Sequence, residues 1–242
     1  MEDLRDAIQL LLDTGADLED VKFVEIGGRY YTHQDLKEIA KKPKAEPIHA
    51  TTLDALITYI AKCRSEIEGQ ALIHIVNPQR VRLMSGLDTR RERELLFECE
   101  AITPLHHFDQ WIGQEEFLIY LASCFQRSED QETVLKYAGT VEAKTVSTYG
   151  DDGISQKATV STGVASKAAV ILPSKVTLHP FRTFQEVDQP GSEFVFRMND
   201  TPGFRLIEAD GGAWRLKAMD ALEAYILGML ESFEVEDIPV IR

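Results

Sequence analysis

Residues 140–210 read almost without a break as short strand-like runs, and this stretch narrows the possible folds of the 242-residue chain more than any other. The runs are TVEAKTVSTY (140–149), ISQKATVST (154–162), AAVIL (168–172), KVTLH (175–179), EFVFRM (193–198) and FRLIEA (204–209). They carry many β-branched and aromatic residues and are separated by Gly, Pro, Asp, Asn and Ser, the pattern of strands joined by turns. No helical period interrupts them. Strands grouped in this way favour an α+β fold with antiparallel pairing over a parallel βαβ sheet.

The rest of the chain supplies the helices and a second group of strands. Leu4, Ile8, Leu11 and Leu12 recur at helical spacing before Gly15, which predicts a helix over 2–14. VKFVEI-GG-RYYTH (21–33) is a hairpin signature, and KKPKAEP (41–47) reads as a linker. Thr51 or Thr52 then caps a helix with the stripe Leu53, Leu56, Ile57 and Ile60, ending near Gly69. ALIHIV (71–76), RVRLMS (80–85) and RELLFECEAI (93–102) predict three antiparallel strands. Further helices are expected at 114–126, from Ser128 to Gly139 with Ser128 to Gln131 as a capping box, and at 214–231. The expected architecture is mainly antiparallel sheet with a long polar hairpin and packed N-terminal, central and C-terminal helices. Its segments are 1–48, 49–139 and 140–242, within one compact unit.

Composition excludes several classes. Apolar residues at 44% and charged residues at 27% are those of a globular chain rather than a disordered one. The N-terminus is acidic and broken by charge, unlike a secretory signal, and apolar stretches such as 117–125 are too short to cross a bilayer. Cys63, Cys99 and Cys124 form no C-x-x-C pair, so no zinc or redox motif is indicated and each reads as a small buried hydrophobe. These features predict a cytoplasmic protein with no membrane contact, no metal and no cofactor.

A net charge of −14 argues against a bulk electrostatic coat on duplex DNA, but the charge is uneven. Residues 153–185 contain no Asp or Glu and carry Lys157, Lys167, Lys175 and Arg182. This stretch continues from the polar hairpin around GDDG (150–153), whose Thr, Ser, Ala, Lys and Gln give neither face a strong core pattern. Such a pair needs outside support, from another subunit, from a ligand or from the chain's own helices. With Lys144 added, these cations form the candidate assembly or binding surface. Arg80, Arg82, Arg90, Arg91 and Arg93 are candidate anion contacts, with cross-strand pairing to Asp88, Glu92, Glu94 and Glu98 as the alternative.

The signals for chemistry are short. Glu142-Ala143-Lys144 matches an E-x-K nuclease fragment, with Asp130 as a possible further metal ligand, yet residues two apart on a strand are its ordinary wet face. His106 and His107 are adjacent and point apart. STGVASK (161–167) lacks P-loop spacing, no G-x-S-x-G occurs, and ADGGAW (209–214) reads as a turn before the last helix. No catalytic residue is assigned.

LIHIVNPQRVRL (72–83), DDGISQ (151–156), FRTFQEVDQPGSEFVFRM (181–198) and EADGGAW (208–214), in this order, resemble the YfdQ-type prophage family, a domain family of unknown function. The resemblance covers about residues 21–230. It implies a phage-borne protein made in the host cytoplasm from a gene in an early region near DNA-recombination functions, and it carries no catalytic residues. The leading expectation is a non-enzymatic phage accessory protein that forms a homo-oligomer and binds a partner. Alternatives are a nucleic-acid-binding protein of phage recombination, a counter-defence protein binding a host immune protein or nucleotide signal, and a metal-dependent nuclease using Glu142 and Lys144. The C-terminal VEDIPVIR reads as either an exchanged strand or a loose tail.

Overall fold

The computed structural model describes residues 44–67, 69–140, 175–199, 203–235 and 237–242, and the backbone pairing of strands at 23–26, 29–32, 148–151, 156–161 and 167–171. The chain divides into two compact units, 1–44 and 45–242. In the first, β1 (Phe23–Ile26) and β2 (Arg29–Thr32) pair antiparallel, with Phe23 opposite Thr32 and Ile26 opposite Arg29. The helix expected over 2–14 lies outside the described residues.

The second unit opens with β3 (Ile48–Ala50), α1 (Leu53–Lys62), a 3-10 turn at Arg64–Glu66, β4 (Ala71–Asn77), β5 (Arg80–Ser85) and β6 (Leu95–Glu100). It continues with β7 (Ile112–Gly113), α2 (Gln114–Cys124), β8 (Phe125–Gln126) and α3 (Glu129–Thr140). Then come β9 (Thr148–Asp151), β10 (Gln156–Ser161), β11 (Lys167–Ile171), β12 (Lys175–Pro180), β13 (Ser192–Met198) and β14 (Gly203–Glu208), followed by α4 (Trp214–Ser232) and β15 (Val240–Ile241). This is an α+β fold built on two mostly antiparallel five-stranded sheets.

The first sheet has the order β15-β4-β5-β6-β3. Its core face follows the two-residue period: Ala71, Ile73 and Ile75 of β4, Val81 and Leu83 of β5, and Phe97 and Cys99 of β6 are buried. Against them pack the α1 stripe of Leu53, Leu56, Ile57 and Ile60 and the α4 stripe of Leu222, Ile226 and Leu230. Two pairings are parallel, β3 with β6 and β15 with β4: β3 leads into α1 and β15 follows α4, so neither edge strand is a hairpin arm. The tail segment VEDIPVIR therefore ends as a strand of the chain's own sheet, with Ile238 buried beneath it.

The second sheet, β7-β14-β13-β12-β8, is antiparallel throughout. Phe194, Phe196 and Met198 of β13 alternate inward and meet Phe117, Tyr120 and Leu121 of α2 and Val134 and Ala138 of α3. Phe117 stacks on Phe204 at 4.9 Å between ring centroids. The two cores differ in how they are drawn from the chain. The second uses only residues between Phe108 and Leu206, whereas the first joins 50–101 to 184–187 and 219–240.

Helix termini depart from the local sequence signals. Thr52 stands at the N-cap of α1 without a side-chain hydrogen bond. Glu186 supplies the cap instead, its Oε1 accepting from the Leu53 amide at 2.7 Å and the Asp54 amide at 3.4 Å. Ser128 does cap α3, accepting from the Gln131 amide at 3.1 Å, but the reciprocal half of the box is missing. The Gln131 side chain is buried and donates to the Leu121 carbonyl at 2.8 Å, tying α3 to α2. Of the cysteines, Cys99 is buried, and its thiol is pushed up to about 12, chiefly by burial. Cys63 and Cys124 are only half-buried.

Candidate functional site

Among the described residues of the second unit, buried polar groups gather around the segment FRTFQEVDQPG (181–191). Arg182, Thr183, Phe184, Val187 and Gln189 are all buried there, an unusual density for a loop. Gln189 makes this possible by satisfying the loop's own backbone. Its Oε1 accepts from the Arg182 and Thr183 amides at 2.9 and 3.3 Å, and its Nε2 donates to the Phe184 and Val187 carbonyls at 2.9 and 3.2 Å. The Thr183 hydroxyl donates to the Pro78 carbonyl in the β4–β5 turn at 2.5 Å. Phe184 and Val187 belong to the core of the first sheet, so the loop fastens one sheet to the other.

Arg182 is the charged centre. Its Nη1 pairs with Glu208, and its Nη2 donates to Ser192 Oγ at 2.5 Å. Ser192 in turn donates to Asp210 Oδ2 at 2.7 Å. The guanidinium lies over the Trp214 indole, 4.1 Å from its centroid. Burial pushes the Arg182 pKa down, and the Glu208 hydrogen bond opposes that shift. For Asp210, burial acts upward, but hydrogen bonds from Ser192, Gly212 and Trp214 and the Arg182 charge outweigh it and hold the carboxyl below its ordinary value. The ADGGAW turn serves this arrangement: Gly211 and Gly212 adopt φ of 62° and 83°, which lets Asp210 Oδ1 accept from the Gly212 amide at 2.9 Å.

His106 adjoins the same centre. Its Nε2 lies 3.1 Å from the Phe181 carbonyl, which only accepts, so Nε2 carries the proton. Nδ1, 3.1 Å from Tyr120 Oη, then accepts from that hydroxyl, which itself accepts from the His107 amide at 3.2 Å. Burial lowers the His106 pKa first, opposed by the Phe181 carbonyl and aided by the Arg182 charge. The adjacent histidines thus serve a relay of hydrogen bonds inside the fold. Among the described residues, no group of three or more His, Cys, Asp or Glu is placed to hold a metal ion.

The residues singled out by sequence are scattered. Arg182, expected on a binding surface, is interior, because Glu208, Ser192 and Trp214 enclose it. Lys175 is exposed but pairs with Glu193 across β12 and β13 at 2.6 Å, since the acid-free strand is zipped to an acidic neighbour. Lys157 and Lys167 stand on β10 and β11, where only the backbone pairing is described, and Lys144 lies outside the described residues, as do Glu142 and the E-x-K motif. Asp130, the further ligand considered for that motif, accepts from the Thr177 amide at 2.6 Å.

The arginine cluster also divides. Arg82 donates to Glu98 at 2.7 Å, the cross-strand alternative raised from sequence, and Arg80 donates to Glu100 at 2.8 Å, an acid outside the set named there. Arg93 donates to the Ser85 carbonyl at 2.8 Å. Arg90 and Arg91 belong to the turn organised by Asp88, whose Oδ1 accepts from the amides of Arg90 and Glu92 at 2.8 Å each. Beside this ladder, an open groove of about 510 Å³ is lined by His49, Thr51, Glu98, Glu100, Ile102 and Thr103.

The strands β9, β10 and β11 form a three-stranded antiparallel sheet of their own, in the order β11-β10-β9. The hairpin seen in sequence around GDDG thus gains a third arm. Its register alternates small apolar pairs, Ala158 with Val170 and Val160 with Ala168, with lysine-bearing ones, Lys157 with Ile171 and Ser161 with Lys167. Sequence reasoning missed Glu186, Gln189, Ser192, Glu208 and Trp214, whose roles come from partners distant in the chain. Comparison with protein-family models, curated proteins and solved structures found no match to this chain.

Proposed function

We propose that this chain is a non-enzymatic phage accessory protein that assembles with copies of itself and binds a partner in the host cytoplasm. The observation that carries the reading is the sheet β11-β10-β9, which among the described residues pairs with neither five-stranded sheet and leaves both edge strands open. A three-stranded sheet with two open edges is a template for pairing with another chain. Two of its three strands, β10 and β11, lie in the acid-free stretch 153–185 of a chain of net charge −14, so a second copy offers complementary charge elsewhere on its surface. Lys144, Lys157 and Lys167 are the contacts in this reading. Arg182 and Lys175 drop out of it, the first by burial and the second by its pairing with Glu193. The phage setting rests on the segment resemblance alone.

Native mass spectrometry of the purified protein tests it. A defined oligomer is expected, and Lys157→Glu with Lys167→Glu should reduce its mass or its partner binding while leaving the circular dichroism unchanged. A parent chain that is monomeric, or an assembly and binding indifferent to both reversals, would overturn the reading. The nucleic-acid alternative loses ground because Glu100 and Glu98 neutralise Arg80 and Arg82 and leave the ladder no net positive charge for a polyanion.

A further inference from the structure

The outer face of the sheet β15-β4-β5-β6-β3, opposite the face that meets α1 and α4, carries an order not required by the fold. An antiparallel sheet with one face on the core ordinarily presents polar side chains on the other. Here Leu72 and Val76 of β4, Met84 of β5 and Leu95 of β6 are partly exposed and belong to neither buried cluster. A register shift between Leu83 and Met84 keeps Leu95 level with Met84, while Leu96 packs against the core. Leu72 lies opposite Met84 on the other side, so an apolar row runs Leu72, Met84, Leu95 across three strands.

Next to that row runs a charged one. The register places His74 opposite Arg82, Arg82 opposite Glu98 and Glu98 opposite His49, with Arg80 opposite Glu100 one step further on. Basic residues therefore stand on β5 and acidic ones on β6, two of each. On a chain of net charge −14, this face is locally neutral, with an apolar row beside it.

From this we infer that the outer face of this sheet is a two-fold interface between copies of the chain. The geometry of the rows selects a second copy over another occupant. A two-fold axis running along the strands, midway between β5 and β6, lays β5 of each copy over β6 of the other. Arg82 then meets Glu98 of the second copy, Arg80 meets Glu100, and Met84 meets Leu95. Every attractive contact occurs twice, no arginine faces an arginine and no glutamate a glutamate, and His74 of each copy falls over His49 of the other. The three central strands are six or seven residues long and the edge strands β3 and β15 three and two, so at about 4.8 Å between strands the face is roughly 14 by 20 Å with short margins. Two such faces together remove on the order of 700 Å² from water, the size of a weak, reversible contact. The inference rests on the self-assembly reading above and names one surface for it.

Charge exchange provides the test, by native mass spectrometry and analytical ultracentrifugation of the whole chain. Arg80→Glu with Arg82→Glu makes the face acidic throughout, and Glu98→Arg with Glu100→Arg makes it basic. Each double variant alone should weaken association by on the order of a hundredfold. An equimolar mixture of the two should restore it as a mixed dimer, which loss of folding would not do. Assembly of both variants at parental strength, or no recovery on mixing two folded variants, overturns the inference. If either double variant fails to fold, Met84→Asp replaces it, since Met84 lies outside both cores: loss of association supports the interface and retention overturns it. A parent chain that never associates removes the assembly reading itself. A parent that associates together with all variants leaves that reading standing and overturns only this surface.

Discussion

Arg182 and Arg82 each place a guanidinium on a glutamate, Glu208 for one and Glu98 for the other, and the two regions could hardly be less alike. Arg182 retains 4% side-chain exposure, is stacked on an indole and is tied through Ser192 to a second carboxylate. Arg82 retains 35%, and its partner Glu98, at 13%, is shared with Arg80 and His49. The contact is the same and the surroundings decide its worth. In the interior, a charge without its partner has no water to turn to; at the surface, water replaces the partner at little loss. The first pair is therefore a fastening of the fold, and the second is free to serve another chain.

The largest expected effect is at the buried pair. Arg182→Ala should destabilise the protein by about 3–5 kcal/mol, since Glu208 and Ser192 lose their partner and Trp214 its stacking cation. Urea unfolding measures it, and a loss no larger than that of Arg82→Ala would erase the distinction. Joint replacement by Arg182→Met and Glu208→Leu should recover most of the loss, because an apolar pair leaves no orphaned charge. Glu186→Ala comes next, at about 1 kcal/mol, the ordinary value for a removed helix cap. Thr52→Ala should have less effect than Glu186→Ala; the reverse order would return the cap to its local candidate.

Arg82→Ala should change stability by less than about 1 kcal/mol, as partly exposed pairs do. The gentlest test is a pH series. His106 has its folded pKa lowered, mainly by burial, so the unfolded chain takes up its proton first. Its contribution is complete above the unfolded value of about 6.5 and is lost as the pH falls below it. His106→Gln should flatten that part of the profile; an unchanged profile would place the acid sensitivity elsewhere.

Much of the fold is legible from short-range pattern. The alternation Phe97, Cys99, Ala101, the stripe Leu53, Leu56, Ile57, Ile60 and the runs after residue 175 become the elements that their periods predict, while a register shift turns Leu95 to the outer face and leaves Leu96 on the core. Burial on one face is a local property of a period, and sequence displays it directly. The capping of α1 is not legible, because its carboxylate lies 133 residues away and Thr52 offers a plausible local substitute. Arg182 misleads for the same reason. An acid-free stretch around a cation suggests a basic surface, yet its neutralising groups are Glu208 and Asp210, which approach only once β13 and β14 pair. Gln131 likewise completes a helix-cap motif in sequence and a helix–helix tie in space. Of the candidate surface, the cross-strand pairing of Arg80 and Arg82 was one of two readings that the residues allowed.

The split composition of the first core bears on the order in which the molecule is built. One sheet and its helices come from a single continuous stretch, whose widest strand pairing joins Ile112 to Phe204. The other needs the segment from Met219 onward to return to the one that ends at Ala101, roughly 120 residues earlier and with that whole stretch between them, a closure whose entropy grows only slowly with length. Once the first of these halves is in place, it brings the ends of that long excursion together. The nested half then acts as the splint on which the divided one is set.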